Sequence, residues 1–246
     1  AQAVEEARQK GFCEKDPTLD ISGRDAAQKL AILAGIALGA YVSDKDILVE
    51  GIEETDPDDI AFVSKLGYVV KQIAIAAREH NGLDLRVHPS LLPARHPLAG
   101  VEGEENGVVL EGDAVGGLTF IGKGAGSLPT ASAVLSDIVE IARGRVGAIH
   151  LPPLDRKWER VDFEACYYLR FPVKDVPGVI GLIATALGNK GISISRVDAA
   201  LVPGREGEGG VRVVTHRARE SVVRRAVGEI GRLPCLTGKP HLLRFF

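Results

Sequence analysis

Apolar residues recur at helical spacing in several stretches of the chain, and each such stretch predicts a helix. Alanine and leucine fill residues 24–38, directly after the Asp-Pro and Ser-Gly turn signals of residues 16–23. A second helix is predicted to begin near Pro57 and to continue to about Arg78, because apolar residues keep helical spacing throughout. Further helices are predicted for 1–10, for the stretch from Val134 to Ala142, for a stretch ending at Gly191 and for 219–233.

Short apolar runs bounded by Gly, Pro and Asp predict β-strands. One such run lies at 47–52, and three lie between residues 84 and 122. Together with the helices they indicate an α+β fold, in which a mixed sheet carries helices on one face. From residue 165 onward the predicted order of elements is βαββαβ, which is typical of a ferredoxin-like two-layer sandwich.

The change in pattern along the chain predicts two domains and a linker. Residues 144–164 combine glycine, paired proline and charged residues, as an ordered linker does. The first domain is therefore predicted at 1–143 and the second at 165–246. Trp158 is predicted to anchor the linker against one of them.

Composition and charge exclude several classes of function. With 45% hydrophobic residues, 26% charged residues and a net charge of −3, the chain is typical of a globular protein and unsuited to nucleic acid or an anionic membrane. No apolar run approaches the roughly 20 residues that cross a bilayer, and the first ten residues lack the features of a signal or transit peptide. Three widely spaced cysteines predict no disulfide framework, which favours a reduced, cytoplasmic setting.

Candidate chemistry is concentrated in residues 11–29, where several acids precede one lysine. Asp25 and Lys29 are four residues apart, so on a helix their side chains share one face. They could form an ordinary surface salt bridge. They could also form a site, because a lysine beside a carboxylate can protonate an oxygen that gains negative charge. Spacing does not decide between these interpretations.

The same stretch resembles the signature of homoserine dehydrogenases. Cys13 stands where that family usually has another small residue, which is a mild departure. Other parts of the chain, LGYVVK, LRVHPSLLPARHPLA and GDAVGG, also resemble the catalytic domain of the family. The matching positions of the signature are Ala7-x-x-x-Gly11-Phe12 and Asp16-Pro17-x-x-Asp20-Ile21-x-Gly23-x-Asp25-x-x-x-Lys29.

The resemblance implies NAD(P)H-dependent interconversion of L-aspartate 4-semialdehyde and L-homoserine, in threonine, methionine and isoleucine biosynthesis. By this resemblance Lys29 protonates the aldehyde oxygen, and Asp25 orients Lys29 and binds substrate. Glu14 and Asp20 contact the polar ends of homoserine, including its ammonium group. Carboxylates for a cationic substrate and a positioned donor for a developing alkoxide are chemically consistent with that reaction.

A glycine-rich stretch, GKGAGSLPT, joins a predicted strand to a predicted helix. Its backbone could hold an anion or a close-lying ring, or it could be a plain tight turn, and its glycines do not have the GxGxxG spacing of dinucleotide-binding turns. The pattern is also similar to one in homoserine dehydrogenases, where it lies near the nicotinamide. That resemblance assigns Gly124, Gly126 and Pro129 to the cofactor site.

Two histidines, His88 and His96, each precede a proline. A metal-binding role would need further ligands at a spacing that the sequence does not show. A structural role in a turn is the favoured interpretation, and no metal site is predicted.

The C-terminal segment carries Asp175-x-Pro177-Gly178-x-x-Gly181 with GISIS downstream, which resembles ACT domains that bind small amino acids. Pro177 and Gly178 would open a helix N-terminus that can receive a carboxylate, and Asp175 could receive an ammonium group. The stretch could equally serve only as the turn between strand and helix. Threonine is the effector that the resemblance predicts, and a homodimer or homotetramer is the expected assembly.

The nucleotide-binding Rossmann domain that the family resemblance leads us to expect is not found in the sequence. The sequence also contains no methionine. Both observations lead us to expect part of a longer enzyme, although missing methionines would also explain the second one. Without a nucleotide-binding domain the chain is expected to be inactive. The alternative is a stand-alone amino-acid-sensing or assembly module in which Lys29 has no catalytic role.

Overall fold

The computed structural model describes residues 5, 16–79, 82–144, 158–201 and 207–246. Apart from Glu5, the predicted helix at 1–10 lies outside these residues, as do Glu14, Cys13 and most of the predicted linker. The α-helices of the described parts are α1 Thr18–Ile21, α2 Arg24–Leu38, α3 Pro57–Lys65, α4 Ser127–Ala142, α5 Val179–Gly188 and α6 Glu220–Ile230.

The strands of the described parts form one large sheet and two small ones. The strands are β1 Leu48–Val49, β2 Tyr68–Glu79, β3 Gly82–Pro93, β4 Glu105–Gly112, β5 Gly116–Lys123, β6 Glu159–Arg160, β7 Glu164–Ala165, β8 Tyr167–Lys174, β9 Ile194–Leu201, β10 Glu208–Thr215, β11 Ala218–Arg219 and β12 His241–Phe245. A short 3-10 turn at Asp44–Asp46 precedes the first strand, and another at Pro97–Gly100 lies between β3 and β4.

The large sheet crosses the predicted boundary between the two domains. β3 pairs along its whole length with the antiparallel strand β2, and along its other edge with the parallel strands β6, β1 and β12. β12 then pairs with β8, so the order continues β3-β12-β8-β10-β9. The mixed α+β fold predicted from the sequence is confirmed, with both halves of the chain contributing to one sheet.

The C-terminal segment has the strand order β12-β8-β10-β9, with α5 after β8 and α6 after β11. Numbered within the segment this is 4-1-3-2, and its neighbouring strands are antiparallel. That order is the one expected for the ferredoxin-like βαββαβ arrangement. Its core consists of apolar residues from β8, α5, β10 and α6.

One helix prediction is wrong. The sequence analysis extended the helix that begins at Pro57 to about Arg78, but α3 ends at Lys65 and Tyr68–Glu79 is strand β2. Gly67, with φ +84°, ends the helix in the left-handed conformation that glycine adopts without strain. β-Branched and aromatic residues then favour the strand, and pairing with β3 over twelve residues outweighs the apparent helical spacing.

The hairpin of β4 and β5 and the helix α4 keep large apolar side chains on the surface of the described structure. No residue of α4 is buried among the described parts of the chain. Leu128, Ile138 and Ile141 of α4 are exposed, as are Phe120 and Ile121 of β5. Apolar surface of this extent is typical of a face that contacts another protein unit.

Candidate functional site

The candidate site is built on a short turn that leads into α2. Asp16 accepts hydrogen bonds from the N–H and the hydroxyl of Thr18, at 3.0 and 2.5 Å, which starts the single turn of α1. These bonds hold the pKa of the Asp16 carboxyl below its usual value. Asp20 lies on this turn and is exposed. Gly23 then reverses the chain with φ +75° and begins α2.

Glycine is required at position 23 by close packing as well as by the backbone conformation. A β-carbon at this position would lie 2.6 Å from Nε2 of Gln72 and 3.2 Å from Cγ1 of Val87. The carbonyl oxygen of Gly23 accepts the N–H of Ala27 at 3.0 Å, which is the first hydrogen bond of α2. The sequence therefore places glycine where no side chain fits, and this sets the position at which α2 begins.

α2 presents Asp25 and Lys29 on the side away from its buried face. The buried face consists of Ala27, Leu30 and Ala34. Lys29 Nζ lies 2.7 Å from Asp25 Oδ2, with 59% and 40% of the two side chains exposed. The structure thus brings together the predicted lysine and its orienting carboxylate, one helical turn apart.

Residues 50–52 follow β1 and pack against this turn. The sequence analysis placed them in a predicted strand and did not assign them to the site. The N–H of Ile52 donates to the carbonyl oxygen of Ile21 at 2.8 Å. A β-carbon on Gly51 would lie 2.3 Å from that same oxygen. The carbonyl oxygen of Glu50 accepts Nε2 of Gln72 at 2.8 Å. The one sequence signal was a glycine between Glu50 and Ile52, which does not by itself indicate a close approach.

The predicted cofactor residues lie elsewhere in the described structure, at the junction of β5 and α4. Gly124 donates its N–H to Glu104 O at 2.8 Å, and a β-carbon on Gly124 would meet the side chain of Asn106. Gly126 has φ +113° and precedes α4 without a side-chain cap, and Pro129 lies in the first turn. The hydrogen bonds described for this junction run to β4 and within the junction itself, not to α2.

The predicted effector residues lie at the start of α5, as the sequence analysis expected. Asp175 is exposed and donates its N–H to Gly207 O at 2.9 Å. Gly178 has φ +88° and precedes the first residue of α5. Pro177 and Gly178 line an open depression of about 640 Å³, whose other walls come from α5, Asn189 and Leu233.

Both predicted histidines have structural contacts. Nδ1 of the buried His88 lies 3.0 Å from Ser90 Oγ and 3.2 Å from Pro89 O. Burial, together with the nearby Arg244 and Arg86, lowers the pKa of His88 to about 2. His96 accepts the N–H of Leu98 at 3.2 Å and caps a 3-10 turn.

Ion pairs join the two halves of the chain. Arg170 of β8 contacts Asp56 at 2.5 Å and Asp59 at 2.6 Å. Asp59 is buried and also accepts the hydroxyl of Tyr168 at 2.7 Å. Burial raises the pKa of Asp56, but the N–H of Asp58 and the charge of Arg170 outweigh it, so that the pKa is lowered overall. The two carboxylates and His241 lie close enough to hold a metal ion, but Arg170 already supplies the compensating cation.

No helix in the described parts of the chain is long and apolar enough to cross a bilayer.

Solved structures of dehydrogenases share this arrangement of helices and sheet. A homoserine dehydrogenase from Thiobacillus denitrificans superposes with a TM-score of 0.87 and 35% identity, covering 100% of this chain and 58% of that one. A homoserine dehydrogenase from S. aureus gives a TM-score of 0.70 with 28% identity, covering 100% and 59%. The chain therefore has the fold of the corresponding part of these dehydrogenase structures.

The sequence comparisons give the family. Residues 1–139 match the family model described as homoserine dehydrogenase. A homoserine dehydrogenase of Synechocystis is 38% identical over 253 residues, covering 97% of this chain and 58% of the relative. One from Pseudomonas aeruginosa is 37% identical over 244 residues, covering 95% and 56%. The chain belongs to the homoserine dehydrogenase family, and it spans a little over half the length of these curated relatives.

Proposed function

We propose that this chain is the substrate-binding and regulatory part of a homoserine dehydrogenase, which interconverts L-aspartate 4-semialdehyde and L-homoserine with NAD(P)H. The observation that carries the proposal is the 2.7 Å contact between Lys29 Nζ and Asp25 Oδ2 at the start of α2. Family membership supports it, because these residues stand at the matching positions of the family signature.

In the proposed reaction Lys29 donates a proton to the aldehyde oxygen of the semialdehyde while the aldehyde carbon gains a hydride. The nicotinamide, when bound, supplies this hydride and takes it up in the reverse direction. Asp25 holds the lysine beside the oxygen through the 2.7 Å contact between its carboxylate and Nζ. In homoserine oxidation the step runs in reverse, and the neutral amine of Lys29 takes up the hydroxyl proton as the hydride leaves the carbon.

Asp20 and Glu14 are proposed to bind the ammonium group of the amino-acid substrate. Asp20 is exposed on the turn that leads into α2, which suits a residue that must meet a ligand. Glu14 lies outside the described residues, and its role rests on the family resemblance. Two acids together would favour a cationic group over a neutral one, which would exclude simple aldehydes.

The residues present fit one end of a nicotinamide cofactor. Gly126, with φ +113°, leaves the first N–H groups of α4 without a side-chain cap, so that a flat ring or an anion can approach the backbone. Gly124 and Pro129 flank that opening. The described parts of the chain contain no strand, glycine-rich turn and helix of the dinucleotide-binding type, so the remainder of the cofactor requires another domain.

The C-terminal segment, 165–246, is proposed to be an ACT-type regulatory domain that binds threonine. The ferredoxin-like strand order and the depression beside Pro177 and Gly178 support this proposal. Titration calorimetry of the chain with threonine should give saturable heat that the substitution Asp175→Asn weakens. Absence of heat with threonine would remove the proposal of feedback control.

A homodimer or homotetramer is the proposed assembly. The exposed apolar side chains of α4 and of the β4–β5 hairpin support it, because they leave a face that a second copy could cover. Sedimentation of the protein at several concentrations tests it. A monomer at all concentrations would contradict it.

The enzymatic proposal is tested by joining the chain to a nucleotide-binding domain from one of its homoserine dehydrogenase relatives. We expect NADP- or NAD-dependent oxidation of homoserine. The substitution Asp20→Asn should raise the KM for homoserine. An amino-acid-sensing module without catalysis would show threonine binding and no turnover in the same preparation.

A further inference from the structure

A cluster of four charged side chains, two of them buried, joins the two halves of the chain close to the candidate site. We call Glu50, Glu220, Arg224 and Arg244 the Glu50 cluster. Arg244 is fully buried and holds both carboxylates in bidentate contacts, at 2.6 and 3.0 Å to Glu50 and at 2.6 and 3.0 Å to Glu220. Arg224 contacts the same two acids, with Nε 2.6 Å from Glu220. The two positive and two negative charges compensate each other, as buried charges require.

The members of the Glu50 cluster come from both halves. Glu50 follows β1, in the part that matches the family model. Glu220 and Arg224 lie on α6, and Arg244 lies on β12. Bidentate guanidinium–carboxylate contacts fix direction as well as distance. The position of the Glu50 side chain is therefore set by the C-terminal half.

The backbone beside Glu50 in turn supports the turn that carries the candidate site. Glu50 O accepts Gln72 Nε2, and that same nitrogen is the nearest atom to the position where Gly23 lacks a β-carbon. Two residues further, Ile52 N–H donates to Ile21 O at 2.8 Å. Only Gly51 lies between Glu50 and Ile52, so a displaced Glu50 would shift Ile21, Gly23 and the start of α2.

We propose that Glu50, held by Arg244 and Arg224, is a positioning residue that couples the C-terminal half to the Asp20–Lys29 segment. The cluster itself touches no substrate. Its role is to hold the turn so that Asp20 and Asp25 meet the substrate at the required distance. This inference rests on the proposed function, since it assumes that the Asp20–Lys29 segment binds homoserine.

Arg224 is the member best suited to substitution. Its side chain is 44% exposed and lines a cavity of about 660 Å³ between the halves, so a shorter side chain there opens no void in a packed core. Lys239 provides a matched control. It forms an exposed ion pair with Glu54 across the same cavity, and neither residue belongs to the Glu50 cluster.

The test compares Arg224→Gln with Lys239→Gln in the full-length enzyme that contains this chain. Arg224→Gln should raise the KM for homoserine by about tenfold while the KM for the dinucleotide changes less than twofold, because a displacement of about 1 Å at a site is costly. Arg224→Lys should restore part of the loss. Lys239→Gln should leave both constants unchanged.

Hydrogen exchange supplies a readout that does not depend on turnover. The Ile52 amide, which donates to Ile21, should exchange at least several-fold faster in Arg224→Gln and at the parent rate in Lys239→Gln. Parent-like KM for homoserine together with parent-like exchange at Ile52 would overturn the coupling. If the parent enzyme does not oxidise homoserine, the proposed function fails. The structural coupling is rejected separately, if the Ile52 amide of Arg224→Gln exchanges at the parent rate. If Arg224→Gln does not fold, the comparison is made with Arg224→Lys, for which an unchanged exchange rate overturns the coupling.

Discussion

Lys29 and Asp25 form an ion pair that contributes little to folding. Both side chains are well exposed in the described structure, and exposed pairs of this kind stabilise a protein by at most about 1 kcal/mol. In contrast, Arg244 is 1% exposed in its bidentate contacts, and its partners Glu220 and Glu50 are 7% and 29% exposed. The contacts of Arg244 therefore matter more for folding than the Lys29–Asp25 pair. The exposed pair is available for chemistry.

The buried His88 should make the free energy of unfolding depend on pH. Its pKa of about 2 in the folded chain lies below the value of about 6.5 in the unfolded chain, so the unfolded state binds a proton first as the pH falls. The free energy of unfolding contributed by His88 is therefore complete above pH 6.5 and is lost progressively below it, by at most about 1.4 kcal/mol per pH unit. Urea unfolding between pH 7 and pH 4 measures this slope.

In His88→Gln the slope of stability against pH should be smaller than in the parent chain. The substitution His216→Gln, at an exposed position, is the control and should leave the slope unchanged. Equal slopes in His88→Gln and the parent would show that the buried histidine is not the group responsible.

Among the structural elements, the turn before α2 depends on Gly23. Alanine there would have to adopt φ +75° and would approach Gln72 to 2.6 Å. We predict that Gly23→Ala lowers the free energy of unfolding by about 1–3 kcal/mol. It should also weaken homoserine binding, because the turn positions Asp20 and Asp25.

Gly228→Ala is the matched control for that prediction. Gly228 lies on α6 with no atom near the place of its missing β-carbon, so alanine should stabilise the chain by about 0.5–1 kcal/mol. Denaturant unfolding of both variants compares the two effects. A Gly23→Ala variant as stable as the parent would contradict the account of the turn.

The sequence predicted most elements correctly and failed where pairing decided the structure. α2 and the six elements of the ferredoxin-like segment follow from local spacing and from glycine and proline signals. β2 could not be predicted in the same way, because its apolar residues fit both periods and only the partner strand β3 selects one of them. In the candidate site, spacing placed Lys29 and Asp25 on one helical face, and the resemblance to the family signature assigned them to the site. Glu50 and Gly51 were missed, because their role depends on contacts with residues far away in sequence.

At the scale of the whole molecule, the shared sheet is the main structural feature. β12 of the C-terminal segment pairs with β3, and buried ion pairs cross the same boundary. Hydrophobic clusters on both sides are continuous with that sheet. The two predicted domains should therefore depend on each other for stability.

This dependence predicts one unfolding transition. Unfolding of the chain in urea, followed by the fluorescence of Trp158 and by far-UV circular dichroism, should give coincident curves. Trp158 donates its indole N–H to Tyr41 O at 3.1 Å and so reports on the N-terminal half. Two separated transitions would show that the halves fold independently in spite of the common sheet.

The central claim is that Lys29 transfers the proton in an NAD(P)H-dependent reduction of aspartate semialdehyde. The most direct measurement is the turnover number of Lys29→Ala in the enzyme completed with its nucleotide-binding domain, beside Gln28→Ala on the same helix. We predict a loss of about 100- to 10,000-fold for Lys29→Ala, the usual contribution of a general acid, with stability nearly unchanged and with Gln28→Ala close to the parent. Undiminished turnover in Lys29→Ala would contradict the proposed mechanism.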